Sequence, residues 1–435
     1  MNTKIRFSAF SLTLLVWLFL LAYHPAELQS AECHITLDRS TVQGTFAPEL
    51  LSANLQWTSG CDGMLEQTGM RMNNASVSAA AQLSPPVLRY PGGLLSSLYE
   101  WRKGVSATRG TSPNYEKNPE EMRCGSDEFG QILRALSAKG MITANLTRTP
   151  AEAAEWLTYL RGNGVATPWW EVGNESYLPA EPSYTTAAQY GTRVREFSKA
   201  LKTVDPAVKV GAILEGSVVH TAWGGFIVPE LSTWNSTVIK ATATDADFYS
   251  LHLYAPFGTL SSDNETIKAM LAAPVALAKN IADISKTVKA ANPKAQIFVT
   301  EFNIGMDTPT ANWRFSTTLA QAGYVAQMLG YSARHGVAQA NFWSLIGNHN
   351  FGLVKSGTDP RLRPAGLLYK ALKPLAGASV IGTAVAAPKL SYTTVGNVPA
   401  GMNVPAVWAQ AFTQGGDVWV MIVNRAPART FTVDI

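Results

Sequence analysis

The sequence predicts an α/β fold: a TIM (β/α)8 barrel with a small C-terminal antiparallel β-sandwich domain. Short apolar, β-rich runs recur eight times from about residue 50. Stretches of helical period fill the intervals, and no Gly-rich phosphate loop follows the first run, as an open doubly wound sheet would require. Runs this apolar are buried on both faces, and strand–helix alternation implies a parallel sheet. Eight such units closed into a ring make a barrel.

The eight runs are Leu50–Trp57, Val87–Tyr90, Met141–Leu146, Pro168–Val172, Val208–Leu214, Phe248–Tyr254, Gln296–Phe302 and Ala340–Leu345. Between them, helical period appears in Asp127–Lys139, Ala151–Arg161, Ala187–Val204, Thr266–Ala290 and Thr317–His335. The barrel is expected over 46–376. After Pro364–Ala376 the character changes to Val/Thr/Tyr-rich runs broken by Gly and Pro, without helical period. Residues 377–435, joined by 32–45, are therefore expected to form the β domain.

Residues 1–31 read as an export signal. Lys4 and Arg6 precede an apolar run from Phe7 to Tyr23, and Ser30 and Ala31 offer a cleavage point. Left uncleaved, that run would be only just long enough to anchor the chain in a bilayer. No other segment is apolar enough for stable membrane insertion. A secreted or periplasmic location is expected. Such a location would let one pair among Cys33, Cys61 and Cys124 oxidise and leave one thiol over, with the pairing open.

With 46% hydrophobic and 15% charged residues, the chain is a well-buried globular protein and not a disordered one. A net charge of +4 without any Lys/Arg run argues against nucleic acid as a partner. The cysteines and six His lack metal-ligand spacing, so no metal site is expected. The oligomeric state is left open.

Barrel proteins that do chemistry carry it at the carboxyl ends of their strands. Two predicted strands end in glutamate. The fourth runs Trp169-Trp170-Glu171-Val172-Gly173-Asn174-Glu175, and the seventh runs Phe298-Val299-Thr300-Glu301-Phe302-Asn303. One glutamate after an apolar strand reads as a salt bridge or a cap. Two of them facing each other across a barrel mouth, each with a neighbouring Asn, read as a working pair. At about 5 Å apart, one of Glu175 and Glu301 can attack an acetal carbon while the other protonates the leaving oxygen. Environment alone can keep one carboxyl protonated and the other ionised. The pair needs no cofactor.

Asn174-Glu175 followed by Glu301 resembles the clan of retaining barrel glycosidases, with acid/base on strand four and nucleophile on strand seven. Further stretches resemble its arabinofuranosidase family, glycoside hydrolase family 51. These are Leu88-Arg89-Tyr90-Pro91-Gly92-Gly93 with Tyr99-Glu100-Trp101, then Gly125-Ser126-Asp127-Glu128-Phe129. Ala144-Asn145-Leu146 with Pro150–Trp156 follows, and then Ser250-Leu251-His252-Leu253-Tyr254. The resemblance spans roughly residues 35 to 375.

It implies a retaining O-glycosyl hydrolase acting on a poly- or oligosaccharide. It also implies that Asn174 binds the sugar hydroxyl beside the reacting carbon and that Tyr254 orients Glu301. His252 and Arg89 would hold the carboxylates from the floor. Trp343 would stack under the sugar, and Trp57 and Trp101 would wall the cleft; each aromatic competes with a core-packing role. Two positions depart from the family. It carries Glu in the first-strand loop, where this chain reads Ala53-Asn54-Leu55-Gln56-Trp57, and Asn after Pro-Gly-Gly, where this chain has Leu94. Leucine can neither donate to nor accept from a sugar hydroxyl. The reaction class is therefore better supported than arabinose, and an endo-acting glycanase fits as well. Two other readings stand beside it: a catalytically inactive, carbohydrate-binding barrel protein of the cell envelope, and an inverting hydrolase with wider-spaced carboxylates.

Overall fold

Alternation along each strand decides which side chains enter the barrel, because successive residues point to opposite faces. The computed structural model describes residues 31–216, 231–258, 260–305, 315–347 and 351–435, so the expected export signal lies outside the described residues save Ala31. Eight parallel strands close into a barrel. In chain order they are Ser52–Asn54, Val87–Tyr90, Lys139–Ala144, Trp169–Val172, Lys209–Leu214, Phe248–Tyr254, Gln296–Asn303 and Val337–Phe342. The first is shorter than expected: residues Pro48–Leu51 coil into a 3-10 turn, and the strand ends at Asn54.

The inward stripe of these strands changes character along the axis. Toward the amino ends, Val87, Met141, Phe248 and Phe298 form one buried cluster, with the two Phe rings stacked at 4.3 Å. Gly211 leaves the room for this, since a Cβ there would lie 2.0 Å from the Phe248 ring. Two residues further along each of those strands stand Arg89, Thr143, Ser250 and Thr300, all buried and polar.

The helices start where the sequence caps them. Thr149 accepts from the Glu152 N–H ahead of Pro150–Gly162, and Thr186 with Gln189 closes a capping box on Ala187–Val204. One expected helix is two. Thr266–Ala290 divides into Asp263–Ala272 and Pro274–Ala291. Pro274 lacks the N–H and clashes with the preceding turn, so it opens a new helix instead of continuing one.

The second domain is built on a five-stranded sheet. Its order is Asp417–Asn424, Val407–Gln414, Ser379–Ala386, Ala31–Thr45, Phe431–Asp434, antiparallel except for the last pair. A two-stranded ribbon, Lys389–Tyr392 with Gly401–Pro405, accompanies it. Buried Arg425 joins the domains, donating through Nε and Nη2 to Gln327 Oε1 at 2.9 and 2.6 Å.

One excursion was not foreseen. Between the second and third barrel strands, Thr111–Pro113 and Pro119–Glu121 form a short hairpin. Its base is stapled by a Cys61–Cys124 disulfide, and Cys33 stays a buried free thiol. Cys61 belongs to a left-handed stretch, Ser59 to Asp62, with φ between 53° and 60°. Non-glycine residues pay for that conformation. The disulfide, the Ser59 N–H bond to Glu120 and the Asp62 bonds to Gln56 hold it.

Candidate active site

Arg89 is the centre from which the site is built. It is fully buried on the second strand, where an unpaired guanidinium would be prohibitively costly, and its donors are all used. Nε donates to Glu171 Oε2 at 2.7 Å, Nη1 to Asn54 Oδ1 and Glu301 Oε1 at 2.9 Å each, and Nη2 to Asn174 Oδ1 at 2.9 Å and Glu171 Oε2 at 2.6 Å. Strands one, two, four and seven are thereby tied together at one level.

Glu301 reaches this level through an irregularity. Thr300 already points inward, donating to Glu171 Oε1 at 2.8 Å. Its neighbour would then face the helices. A register shift between Val299 and Glu301 against the sixth strand turns both residues in. On the fourth strand the chain leaves the sheet through Gly173 at φ 79° and Glu175 at φ 36°. The left-handed turn aims Asn174 and Glu175 over the mouth, the kind of strained backbone that concentrates at functional sites.

His252 Nδ1 lies 3.0 Å from Glu175 Oε1 and 3.7 Å from Glu301 Oε1. The two carboxyls cannot be farther apart than the sum of those distances, and any bend at the nitrogen brings them closer. Tyr254 donates to Glu301 Oε2 at 2.7 Å. Glu175, Glu301, Asn174, Tyr254 and Trp343 line one cavity of about 200 Å³. By water's share of roughly 30 Å³ this is the space of six or seven waters, enough for a sugar ring.

The electrostatics divide the carboxyls. Burial opposes charge on Glu171, yet Arg89 first, then His252 and the Ser250 and Thr300 hydroxyls, hold it below the usual glutamate range. Burial and the nearby Glu175 push Glu301 upward, against the pull of His252, Arg89 and the Tyr254 hydrogen bond. Burial likewise opposes an imidazolium at His252, but Glu301 and Glu175 outweigh it and raise its pKa.

The structure thus brings together Arg89, Asn174, Glu175, His252, Tyr254, Glu301 and Trp343. Trp343 sits at the pocket wall over Gly93, whose φ is 66°; a Cβ there would lie 2.4 Å from the indole ring. Trp57 and Trp101 do not join them. Trp57 is fully buried with Nε1 donating to Leu95 O at 3.1 Å. Trp101 stacks on Trp156 at 6.5 Å and carries Arg102 on its ring. Lying near a strand mouth did not fix which way these rings point: the first strand ends before Trp57, so the ring turns back into the core.

Other groups were missed. Tyr115, at the hairpin tip, lines the pocket and donates to Gln56 Oε1 at 2.6 Å. Phe257 and Phe351 add apolar wall beside Leu94. Glu181 accepts from Asn174 Nδ2 at 2.7 Å. None follows a periodic run, and no sequence signal marked them. The second domain also reaches the site: Asn397 donates to Tyr254 O at 2.9 Å and accepts from the Phe257 N–H at 2.7 Å. Among the described residues, no group of three or more His, Cys, Asp or Glu could hold a metal ion.

No family model matches the chain. It is 27% identical over 241 residues to alpha-L-arabinofuranosidase C of Emericella nidulans, a match covering 50% of this chain and 47% of that enzyme. The chain spans about half the length of the curated relatives it matches. Among solved structures, it resembles a family 51 alpha-L-arabinofuranosidase from Bifidobacterium longum (TM-score 0.76, 17% identity), covering 93% of this chain and 88% of that one. The alpha-L-arabinofuranosidase from Thermotoga maritima, solved with arabinose, gives a TM-score of 0.73 at 21% identity, covering 91% and 85%. The chain is similar in sequence to alpha-L-arabinofuranosidases, and it shares the two-domain barrel fold of their family 51 structures.

Proposed function

We propose that the chain is a retaining glycoside hydrolase with Glu301 as nucleophile and Glu175 as general acid/base. One observation carries this reading: both carboxyls face a single His252 nitrogen at 3.0 and 3.7 Å on the wall of one sugar-sized cavity. A retaining pair works at about 5 to 5.5 Å, an inverting pair at about 6.5 Å or more.

In the first step Glu301 attacks the anomeric carbon as the glycosidic C–O bond breaks, and Glu175 gives its proton to the leaving oxygen. In the second, Glu175 takes a proton from water, whose oxygen displaces Glu301 from the sugar. Negative charge moves from Glu301 to Glu175 and back. The imidazole of His252, within reach of both, stays beside whichever carboxylate carries it. Tyr254 and Arg89 each hold one oxygen of Glu301, leaving its rotation fixed for attack.

The relatives' names make a terminal alpha-L-arabinofuranosyl unit the first substrate to test. Leu94 in the pocket wall favours a sugar face with fewer hydroxyls to satisfy, and argues for including xylo- and gluco-configured substrates. Export is part of the proposal. The Cys61–Cys124 disulfide supports an oxidising compartment, and no described helix is long and apolar enough to cross a membrane.

The test is Glu301→Gln assayed on aryl furanosides and pyranosides. Hydrolysis should fall by about 10⁴-fold or more while sugar binding persists. A variant as active as the parent contradicts the assignment. Binding without turnover in the parent favours a carbohydrate-binding barrel instead.

A further inference from the structure

Glu181 lies on the loop that follows the fourth strand, where no regular element forms, and is only 4% exposed. Its Oε1 accepts from Asn174 Nδ2 at 2.7 Å, and its Oε2 lies 3.4 Å from the Ser97 hydroxyl. Ser183 stands beside it, hydrogen-bonded to Ser176 and to Ser97. No cation appears among these contacts. The charged and titratable groups facing Glu181 are Glu175, Glu301, Tyr115 and Tyr177. A buried carboxylate with other carboxylates for company is costly, and the economical solution is to keep the proton.

The consequence falls on Asn174. Its Oδ1 is taken by Arg89 at 2.9 Å and one Nδ2 hydrogen by Glu181. An amide gripped at both ends can neither flip nor swing, and its second N–H remains for the cavity that Asn174 lines. Resting on the hydrolase reading above, we propose that Glu181 is a positioning residue that, as a neutral acid, locks the Asn174 amide so that one N–H is presented to the bound sugar. Burial first, and the Glu175 charge second, raise its pKa to about 9. Ionised, it would set a second negative charge beside the one that the working pair carries.

A linkage consequence follows. Glu181 keeps its proton when folded up to about pH 9, whereas the unfolded chain releases it near the ordinary 4.5. The folded state therefore holds more protons between these values, and stability falls as pH rises through that window. Glu181→Gln, which cannot ionise, should melt higher than the parent at pH 8, with the gap closing below pH 4.5.

The experiment compares the parent, Glu181→Leu and Glu181→Gln. Infrared difference spectra, parent minus Glu181→Gln, should show a protonated carboxyl carbonyl band at pH 7, over and above that of Glu175, which is lost near pH 9. Glu181→Leu should lose roughly tenfold to a hundredfold in kcat with a smaller change in KM, the cost of a loosened contact at the reacting centre. Glu181→Gln, whose carbonyl still accepts from Asn174, should rescue most of that loss and extend the alkaline limb of the pH profile. The proposal is overturned if the band is missing at pH 7, or if Glu181→Leu turns over like the parent. A parent that binds sugar but hydrolyses none removes the hydrolase reading, while the band and the pH-dependent melting still test the proton on Glu181.

Discussion

The two ends of one barrel are built from the same eight strands by opposite rules. Toward the amino ends the inward stripe is Val87, Met141, Phe248 and Phe298, an apolar plug with nothing to titrate. Two residues on, the same faces carry Arg89, Thr143, Ser250 and Thr300, and beyond them His252 and Tyr254. The first layer is held by burial and shape, which tolerate substitutions of similar volume. The second is held by hydrogen bonds among charged groups in low dielectric, where removal of one partner strands the others. The apolar layer yields a little to each change, and the mouth is the layer that a single change can break.

The largest effect should come from Arg89→Met. Glu171 would lose its cation while remaining fully buried, a loss of about 3 to 5 kcal/mol for a broken buried pair. Glu171 is held below the usual range in the folded state, so its contribution is present above the ordinary glutamate value and lost as pH falls. The melting gap between Arg89→Met and the parent should be wide at pH 7 and narrow in acid. Because Arg89 also pulls Glu301 downward, the acid limb of the pH–rate profile should move to higher pH. Phe298→Leu, in the other layer, should lose only about 1 to 2 kcal/mol, measured by denaturant unfolding, and leave kcat where it was. A Phe298 variant that loses turnover while staying folded would show the layers to be coupled, and the contrast would fail.

What could be read from the sequence divides along the same line. The barrel was legible because its strands are apolar runs and its helices are periodic, and these signals survive any detail of packing. The meeting of Glu175 and Glu301 at one pocket was legible because both follow barrel strands whose carboxyl ends converge on one mouth. Trp57 and Trp101 were misplaced because position along a strand says nothing about the direction of a ring once the strand has ended. The Thr266–Ala290 region was read through Pro274 because the apolar period continues across it. Glu181, Tyr115 and the bulge that turns Glu301 inward were invisible: each depends on a loop conformation or a register shift, set by contacts between residues far apart in the chain, such as Glu181 with Ser97 and Tyr115 with Gln56.

The most direct measurement is to trap the sugar on the protein. Glu175→Ala, reacted with an aryl glycoside whose leaving group needs no proton, should still form the glycosyl intermediate but lack the base that hydrolyses it. One equivalent of phenolate should be released in a burst, and mass spectrometry should find the added sugar on the peptide containing Glu301. A sugar carried by any other carboxylate, or turnover without a burst and with inverted stereochemistry, would contradict the account.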